Sequence, residues 1–585
     1  MLQGAPAREV WREASVLARS VRWRYAGAGA AVIVSTLITL AGPALVRYAV
    51  DAGIAKHRHH ALNVAAVLFL ALAVAKPLVV RAQILLAASA GERFLGALRT
   101  ATFEKLQALP LGFFERERAG VLVSRLTSDV QSLTEFVRDA LVEVVGSAVQ
   151  IVLTVGALLY LSPALAAVSL VALPILVGSS WSFHHSAGKA YHAIRDRVAE
   201  TLTALQEGIA GVRVVQSFRR ERRTLERYKP RSEAQIRAWR RASFVNIRLF
   251  ALIPLAQTAA LLAVLLVAAS MYRQGVISKG TIAAFVLYLV QLFDPIARFS
   301  EWLSEFRQGL AALAKIIGLI QTPNAIVERR GAVELPPEGT LAVRRITFGY
   351  GARPVVHDVS LAIEPGEHVA LVGATGAGKS TLAKLFTRQY DPQDGSITFG
   401  GVDLRDAMLA SLHRRIVMLP QEGHLFSGTI VDNVRIATPA ASDEAVRRAL
   451  RRIGALDRFE RLPNGLDTDV QTRGLRLSAG ERQLVSIARV ALADPAVIVL
   501  DEATSSLDPA TEAAVERALA AVAEGRTVVT IAHRLSTAER ADRVAVMEHG
   551  RLVEVASHDD LVEHGERYAR LWASWQAGLA AADPA

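Results

Sequence analysis

Residues 369–380 read Val-Ala-Leu-Val-Gly-Ala-Thr-Gly-Ala-Gly-Lys-Ser, an apolar run that passes directly into a glycine-rich loop. The part from Gly373 to Ser380 fits the phosphate-binding loop, which follows a strand and opens a helix. Its glycines let backbone N–H groups close around phosphates, Lys379 reaches the β- and γ-phosphates, and Ser380 holds Mg²⁺. The stretch predicts a nucleotide site on an α/β domain.

The sequence around this loop has the alternating pattern of such a domain. Beyond about residue 335, short β-branched runs such as 369–372 and 497–500 alternate with helical stretches. This pattern predicts a largely parallel sheet with crossover helices. The run 497–500 ends in Asp501-Glu502, where Asp501 would support the Mg²⁺ shell, through water if needed, and Glu502 would polarise an attacking water.

The residues before 300 have a different composition. The whole chain of 585 residues is 52% apolar and only 21% charged, with a mean hydropathy of +0.29. Stretches long enough to cross a bilayer, which takes about 20 residues, lie at 26–50, 61–86, 140–161, 163–183, 250–271 and 281–299. The total lack of cysteine excludes disulfides, cysteine-ligated metals and a cysteine nucleophile.

The predicted fold is a multidomain membrane protein. It has an N-terminal all-α six-helix transmembrane domain with long cytoplasmic helical extensions and a C-terminal α/β P-loop ATPase cassette. We place the transmembrane domain at 1–320, the linker at 321–338, the cassette at 339–578 and a tail at 579–585.

Charge sets the expected orientation. Much of the net charge of +12 comes from Lys and Arg in 184–249, and 87–139 is also basic. Basic loops stay on the cytoplasmic side, so we expect both termini in the cytoplasm of a multi-pass protein of the cell membrane. Because the basic excess lies beside the membrane, where anionic lipid attracts it, nucleic acid is not an expected partner.

Residues 477–483, Leu-Ser-Ala-Gly-Glu-Arg-Gln, resemble the signature motif of ATP-binding cassette (ABC) proteins. Tyr350 resembles the family's adenine-stacking residue, and Gln421 its Mg²⁺-sensing loop. Asp508 resembles the loop that crosses the dimer interface, and His533 the switch histidine at the γ-phosphate. In the first basic loop, 112–114 and 125–130 also look like the exporter branch of this family.

The resemblance implies ATP and Mg²⁺ as ligands. The residues expected to bind nucleotide are Tyr350, Gly373, Thr375, Gly376, Ala377, Gly378, Lys379, Ser380, Thr381, Gln421 and Asp501, with Asp508 at the dimer interface and Ser478 and Gly480 facing the partner's ATP. The expected catalytic residues are Glu502 and His533. Mg²⁺ would be held by Ser380, Gln421 and Asp501, through water if needed.

A single cassette behind six spans resembles an exporter-type half-transporter, which acts as a dimer. The sequence departs from the family pattern at two places. The altered signature favours a heterodimer over a homodimer, both of which stay open, whereas the second departure bears on a contact with the cytoplasmic loops and not on ATP binding. The usual Ser-Gly-Gly-Gln reads Ser-Ala-Gly-Glu at 478–481, and Thr472 stands where exporters often have Glu.

The resemblance implies ATP-driven export of hydrophobic or amphipathic compounds such as drugs or lipids. An importer of the same fold is the alternative. An ATP-gated channel or regulator would predict a broken hydrolytic site or a phosphorylatable insert, and the sequence shows neither.

Three charged residues inside the spans are candidates for a substrate cavity. Lys76 and Asp294, each followed by proline, are both about 20 Å below the outer surface at ~1.5 Å per helical residue, and Arg81 follows Lys76. Charges in lipid usually face the bundle or water, so they would line a cavity for amphipathic or anionic-headed substrates. Alternatively, Lys76 and Arg81 snorkel to the inner interface and Asp294 caps a kink.

Overall fold

The computed structural model describes residues 7–117, 119–351, 353–421, 423–501, 509–532 and 535–582. The chain divides into two compact units. The first comprises Met1–Gln107 and Ala119–Thr322, and the second comprises Ala108–Arg118 and Pro323–Ala585. The first unit is helical where it is described, and the second contains all the described strands. The predicted fold class, a helical membrane domain followed by an α/β cassette, is confirmed.

Long helices make up the first unit. They span Ala7–Leu17, Arg22–Tyr48, His59–Ala108, Ala119–Ser124, Val130–Glu135, Leu141–Leu161, Pro163–Ser169, Leu173–Ala210, Val212–Ser217, Glu221–Arg273 and Lys279–Ile320. Short helical turns continue several of them at Ala18–Val21, Ala49–Ile54, Arg125–Asp129, Phe136–Ala140 and Leu170–Ala172. The helices extend well beyond the apolar stretches, in agreement with the predicted long helical extensions.

Among the described residues, five helices are long and apolar enough to cross a membrane: Ala18–Ile54, His59–Ala108, Gly120–Leu161, Ala251–Arg273 and Lys279–Ile296. The predicted span 163–183 covers the shorter apolar helix Pro163–Ala172 and the start of Leu173–Ala210, where the side chains of 175–187 lie outside the described part. The apolar window of His59–Ala108 is only 6% buried within the chain. So large an exposed apolar face requires lipid or another protein surface to cover it.

Polar contacts join the first and last spans at one end. The helix Lys279–Ile320 begins at Ser278, whose hydroxyl accepts a hydrogen bond from the Thr281 backbone at 3.0 Å. Asp51 accepts hydrogen bonds from the Ser278 hydroxyl at 2.6 Å and the Gly280 backbone at 2.9 Å. A carboxylate at a helix N-terminus is stabilised by the first unpaired N–H groups, so these contacts tie the two spans together.

In the described part of the second unit, ten strands form two sheets. They are β1 (Leu341–Phe348), β2 (Val356–Ile363), β3 (His368–Val372), β4 (Asp394–Phe399), β5 (Val402–Asp403), β6 (Ile416–Leu419), β7 (Val497–Asp501), β8 (Thr527–Ile531), β9 (Arg543–Glu548) and β10 (Arg551–Ala556). One sheet has the order β2-β1-β4-β5 and is antiparallel, and the other has the order β10-β9-β3-β8-β7-β6. In the larger sheet, only the edge strand β10 is antiparallel to its neighbour, so the predicted largely parallel sheet is present.

The second unit also contains helices, several of which contact the parallel sheet. They span Leu111–Arg116, Lys379–Phe386, Leu409–Arg415, Ile430–Arg435, Asp443–Arg452, Leu456–Glu460, Ala479–Ala493, Pro509–Ala523, Leu535–Glu539, His558–Glu563 and Arg567–Ala582. Successive side chains of β3 belong to different hydrophobic clusters. Leu371 lies in the same cluster as Phe386, and Val372 lies in the same cluster as Tyr568. Both faces of the strand are therefore buried, which is why it reads as a continuous apolar run.

Candidate functional site

The glycine-rich loop after β3 has the backbone shape that its glycines permit. Gly373, Gly376 and Gly378 have φ values of 148°, 84° and 101°, which L side chains rarely adopt. A Cβ on Gly373 would lie 2.2 Å from the carbonyl oxygen of Met547. A Cβ on Gly376 would meet no heavy atom within 4 Å, so the loop is open on that side. This geometry fits a phosphate held by backbone N–H groups.

Lys379 is the first residue of the helix that follows the loop, and its side chain is buried. Its Nζ donates hydrogen bonds to the carbonyl oxygens of Gly373 at 2.7 Å and Ala374 at 3.1 Å. A buried ammonium is costly unless it is hydrogen-bonded. The carbonyl oxygens of the loop therefore hold this ammonium group close to the backbone that would surround a phosphate.

The other predicted site residues follow the carboxyl ends of neighbouring parallel strands. The ends of β6 and β7 are paired through Leu419 and Leu500, and Asp501 is the last residue of β7. Gln421 is exposed just past the end of β6. Ligands of open α/β sheets bind at this edge. The predicted catalytic residues Glu502 and His533, and Asp508, lie outside the described residues.

Tyr350 belongs to a cluster of three aromatic rings. Its ring centroid lies 5.3 Å from that of Phe348 and 5.2 Å from that of Tyr390, both in edge-to-face contact. Its hydroxyl shares a hydrogen bond of 3.1 Å with the Thr381 hydroxyl, two residues past Lys379. Tyr350 is 43% exposed, so part of its surface remains accessible to a base.

The signature segment 477–483 contains the N-terminus of a helix. Ser478 precedes the helix Ala479–Ala493, and its hydroxyl is bound reciprocally to the side chain of Glu481 in a capping box. Gly480 is buried. Thr472, which replaces the family's usual Glu, shares a hydrogen bond of 3.4 Å with the Ser427 hydroxyl.

The donor set suits Mg²⁺. This ion prefers hard oxygen ligands and usually retains waters beside one or two carboxylates and the substrate phosphates. The Ser380 hydroxyl is exposed and Asp501 is half-buried at the strand end, which offers one hydroxyl and one carboxylate. Among the described residues, no group of three or more His, Cys, Asp or Glu side chains could hold a metal by itself. A metal bound together with nucleotide phosphates fits this arrangement.

Sequence reasoning missed a contact of the short helix Leu111–Arg116. Glu115 accepts hydrogen bonds from Lys384 Nζ at 2.7 Å and from the Tyr390 hydroxyl at 2.6 Å. Burial opposes ionisation of Glu115, but these hydrogen bonds outweigh it and lower its pKa. They also help to raise the pKa of Lys384 against the effect of burial. Only the fold brings these distant residues together.

The candidate substrate-cavity residues are not gathered into one site by the described contacts. Lys76 and Arg81 are both exposed on the helix His59–Ala108, and Lys76 makes no ion pair with any described side chain. Asp294 is exposed on Lys279–Ile320.

Both parts of the chain match models of known protein families. Residues 26–296 match the family model described as the ABC transporter transmembrane region, and residues 356–505 match the model described as ABC transporter. The structure defines the class, an ATP-binding cassette fused to a helical membrane domain. The chain belongs to the ABC transporter family and has the exporter-type architecture.

Relatives cover most of the chain. A multidrug efflux ATP-binding/permease protein of Mycobacterium bovis is 35% identical over 93% of this chain, which spans only 46% of that protein. An ATP-dependent lipid A-core flippase of Syntrophus aciditrophicus is 33% identical over 84% of this chain and 82% of its own length. A bacterial Atm1-family ABC exporter solved with ATP bound is 28% identical, with a TM-score of 0.78 over 95% of this chain and 98% of that one.

Proposed function

We propose that this chain is a half-transporter that uses ATP binding and hydrolysis to move hydrophobic or amphipathic compounds, such as drugs or lipids, out of the cytoplasmic side of the cell membrane. The observation that carries the proposal is the phosphate loop around Lys379, in one chain with helices apolar enough to span a bilayer. The names of the relatives, multidrug efflux and lipid flippase, support the substrate class.

We assign the nucleotide chemistry to the residues at the strand ends. Lys379 and the loop N–H groups bind the β- and γ-phosphates, and Tyr350 stacks on the adenine. Ser380, Asp501 and Gln421 would hold Mg²⁺, which would supply neutralisation of the phosphate charge. Glu502 polarises the attacking water and His533 contacts the γ-phosphate. Ser478 and Gly480 face the ATP of a second cassette, and Asp508 lies at that interface.

A second cassette is needed to complete each site, so the functional unit is a dimer. The altered signature favours a heterodimer with another half-transporter over a homodimer. The basic residues of 184–249 support a cytoplasmic location for the cassette and both termini. Import by the same architecture is the second candidate for direction.

The test measures ATP hydrolysis by the full-length chain in liposomes, alone and co-expressed with a candidate partner, against a panel of lipids and amphipathic dyes. We expect Mg²⁺-dependent hydrolysis that some of these compounds stimulate. The Glu502→Gln protein should lose hydrolysis by about 100-fold or more, since a general base contributes about 100- to 10,000-fold in rate. Wild-type rates in the Glu502→Gln protein would refute the assignment of the base.

A further inference from the structure

The signature segment carries a carboxylate that contacts its own serine. Glu481 Oε2 accepts hydrogen bonds from the Ser478 backbone N–H at 2.9 Å and from the Ser478 hydroxyl at 3.0 Å. In return, the Glu481 backbone N–H donates to Ser478 Oγ at 3.3 Å. The hydroxyl proton of Ser478 is therefore committed to a carboxylate within the same chain.

Arg458 balances the charge of this carboxylate. Its Nε donates to Glu481 Oε1 at 3.2 Å, from the neighbouring helix Leu456–Glu460. The side chain of Glu481 is only 17% exposed. Burial opposes its ionisation, but the hydrogen bonds from Ser478 and Arg458 prevail and lower the pKa of Glu481. Glu481 is therefore an anion at neutral pH.

The position of this anion matters because of what the helix start is expected to bind. The N-terminus of Ala479–Ala493 would attract a phosphate through its first N–H groups and the helix dipole. Here an internal carboxylate occupies the Ser478 N–H and hydroxyl and places a negative charge beside them. A triphosphate that binds here is repelled by the negative charge of Glu481. It also has to compete with Glu481 for the hydrogen bond of the Ser478 hydroxyl.

We propose that Glu481 is a positioning residue that competes with the partner's ATP for the hydroxyl of Ser478 and so raises the ATP concentration at which two cassettes close. This inference rests on the proposed function, in which Ser478 faces the partner's γ-phosphate. On closure the Ser478 hydroxyl turns its proton from Glu481 to a phosphate oxygen. Glu481 keeps the Ser478 N–H and Arg458, so its carboxylate stays hydrogen-bonded in both states.

Replacing Glu481 by Gln removes the negative charge of the side chain but keeps its size and its hydrogen-bond acceptor. A capping box accepts Glu or Gln at this position, so Glu481→Gln preserves an acceptor for the Ser478 N–H while removing the negative charge. Arg458→Ala does the opposite, because it leaves the carboxylate in place and removes its neutralising partner. Glu524→Gln removes one exposed carboxylate elsewhere on the cassette and is the matched control.

The experiment measures ATP hydrolysis against ATP concentration for the full-length protein in liposomes. We expect Glu481→Gln to lower the KM for ATP by about three- to tenfold, the effect of one nearby charge in a partly solvated site. Arg458→Ala alone should raise the KM for ATP. In the double variant Arg458→Ala/Glu481→Gln, the KM should differ little from that of Glu481→Gln alone. The difference between wild type and Glu481→Gln should shrink as salt rises, since salt screens charge.

Two outcomes overturn the inference. One is a KM for Glu481→Gln that is unchanged within twofold or raised. The other is the same change in KM for the control Glu524→Gln. Lys379→Ala, measured in parallel, keeps this test distinct from the proposed function. Hydrolysis lost in Lys379→Ala with no effect of Glu481→Gln refutes only the role of Glu481, whereas full hydrolysis in Lys379→Ala refutes the proposed nucleotide site.

Discussion

The Tyr390 hydroxyl donates a hydrogen bond of 2.6 Å to Glu115 Oε2, although 275 positions separate the two residues in the chain. Glu115 lies in the short segment that connects the helix His59–Ala108 to Ala119–Ser124, and Tyr390 contacts the ring of Tyr350. A segment between membrane helices is thus joined to the aromatic residue that we place beneath the adenine. We therefore expect this contact to affect how nucleotide binding influences the two helices that the segment connects.

Glu115→Gln should weaken this contact. The change removes the ion pair with Lys384 and weakens the hydrogen bond from Tyr390, because bonds to charged groups are roughly twice as strong as neutral ones. We expect ATP hydrolysis to persist while the amount of dye moved per ATP falls severalfold. Glu117→Gln, a neighbouring carboxylate, is the control. An unchanged ratio of transport to hydrolysis in Glu115→Gln would show that the contact is only structural.

Gly112→Ala tests the contact between the helix Leu111–Arg116 and Tyr390 by adding a methyl group rather than by removing a charge. A Cβ at position 112 would lie 2.5 Å from the ring of Tyr390, closer than real Cβ contacts occur. The short helix or the ring must then shift, so transport should fall as in Glu115→Gln. Gly120→Ala is the matched control, since a Cβ there meets nothing within 4 Å. Equal transport by the two alanine variants would contradict this packing role.

Lys379→Ala should abolish hydrolysis. Removing the cation takes away the main positive charge of the loop, and loss of one preorganised donor to developing charge costs about 100- to 1,000-fold in rate. The loss is measured by comparing the rates of ATP hydrolysis of full-length wild type and Lys379→Ala in liposomes. A rate within tenfold of wild type would mean that this loop does not hold the hydrolysed phosphate.

The stability of the cassette should fall at acid pH. Burial lowers the pKa of His368 below its ordinary 6.5, although Asp542 opposes the shift. Its ring bonds to the Thr530 hydroxyl at 2.9 Å on the neighbouring strand. Because the unfolded histidine binds its proton first, its contribution to stability is full above about pH 6.5, falls as the pH drops from there toward the lower folded pKa, and changes no further below that pKa.

Hydrogen exchange of β3 in the full-length protein measures this effect. We expect faster exchange, corrected for intrinsic rates, at pH 5.5 than at pH 7.5. The increase should be smaller in His368→Gln, which cannot take up the proton. An equal pH dependence in both proteins would assign the effect to other groups.

The structural features that sequence predicted are local. The glycine-rich loop between a strand and a helix, and the strand that ends at Asp501, each lie within one short stretch, where spacing alone restricts the structure. The capping box of Ser478 and Glu481 is also local, since a serine three residues before a glutamate at a helix start is its usual pattern. The carboxylate could thus have been placed from sequence, but its ion pair with Arg458 could not.

The features that sequence did not predict depend on tertiary contacts. Nothing near Glu115 in the chain indicates Tyr390 or Lys384, because the fold alone brings them together. The antiparallel sheet of β1, β2, β4 and β5 was also not foreseen. Its strand β1 alternates only partly between buried and exposed residues, and two irregularities in its pairing with β2 blur the two-residue period.

The most direct test of ATP-driven export is the movement of a fluorescent amphipathic dye across liposomes that contain the full-length protein and its partner, with ATP supplied only on the cassette side. We expect wild type to move dye away from the cassette side and Lys379→Ala, at equal protein density, to move none. Dye movement toward the cassette side, or equal movement by Lys379→Ala, would contradict this expectation.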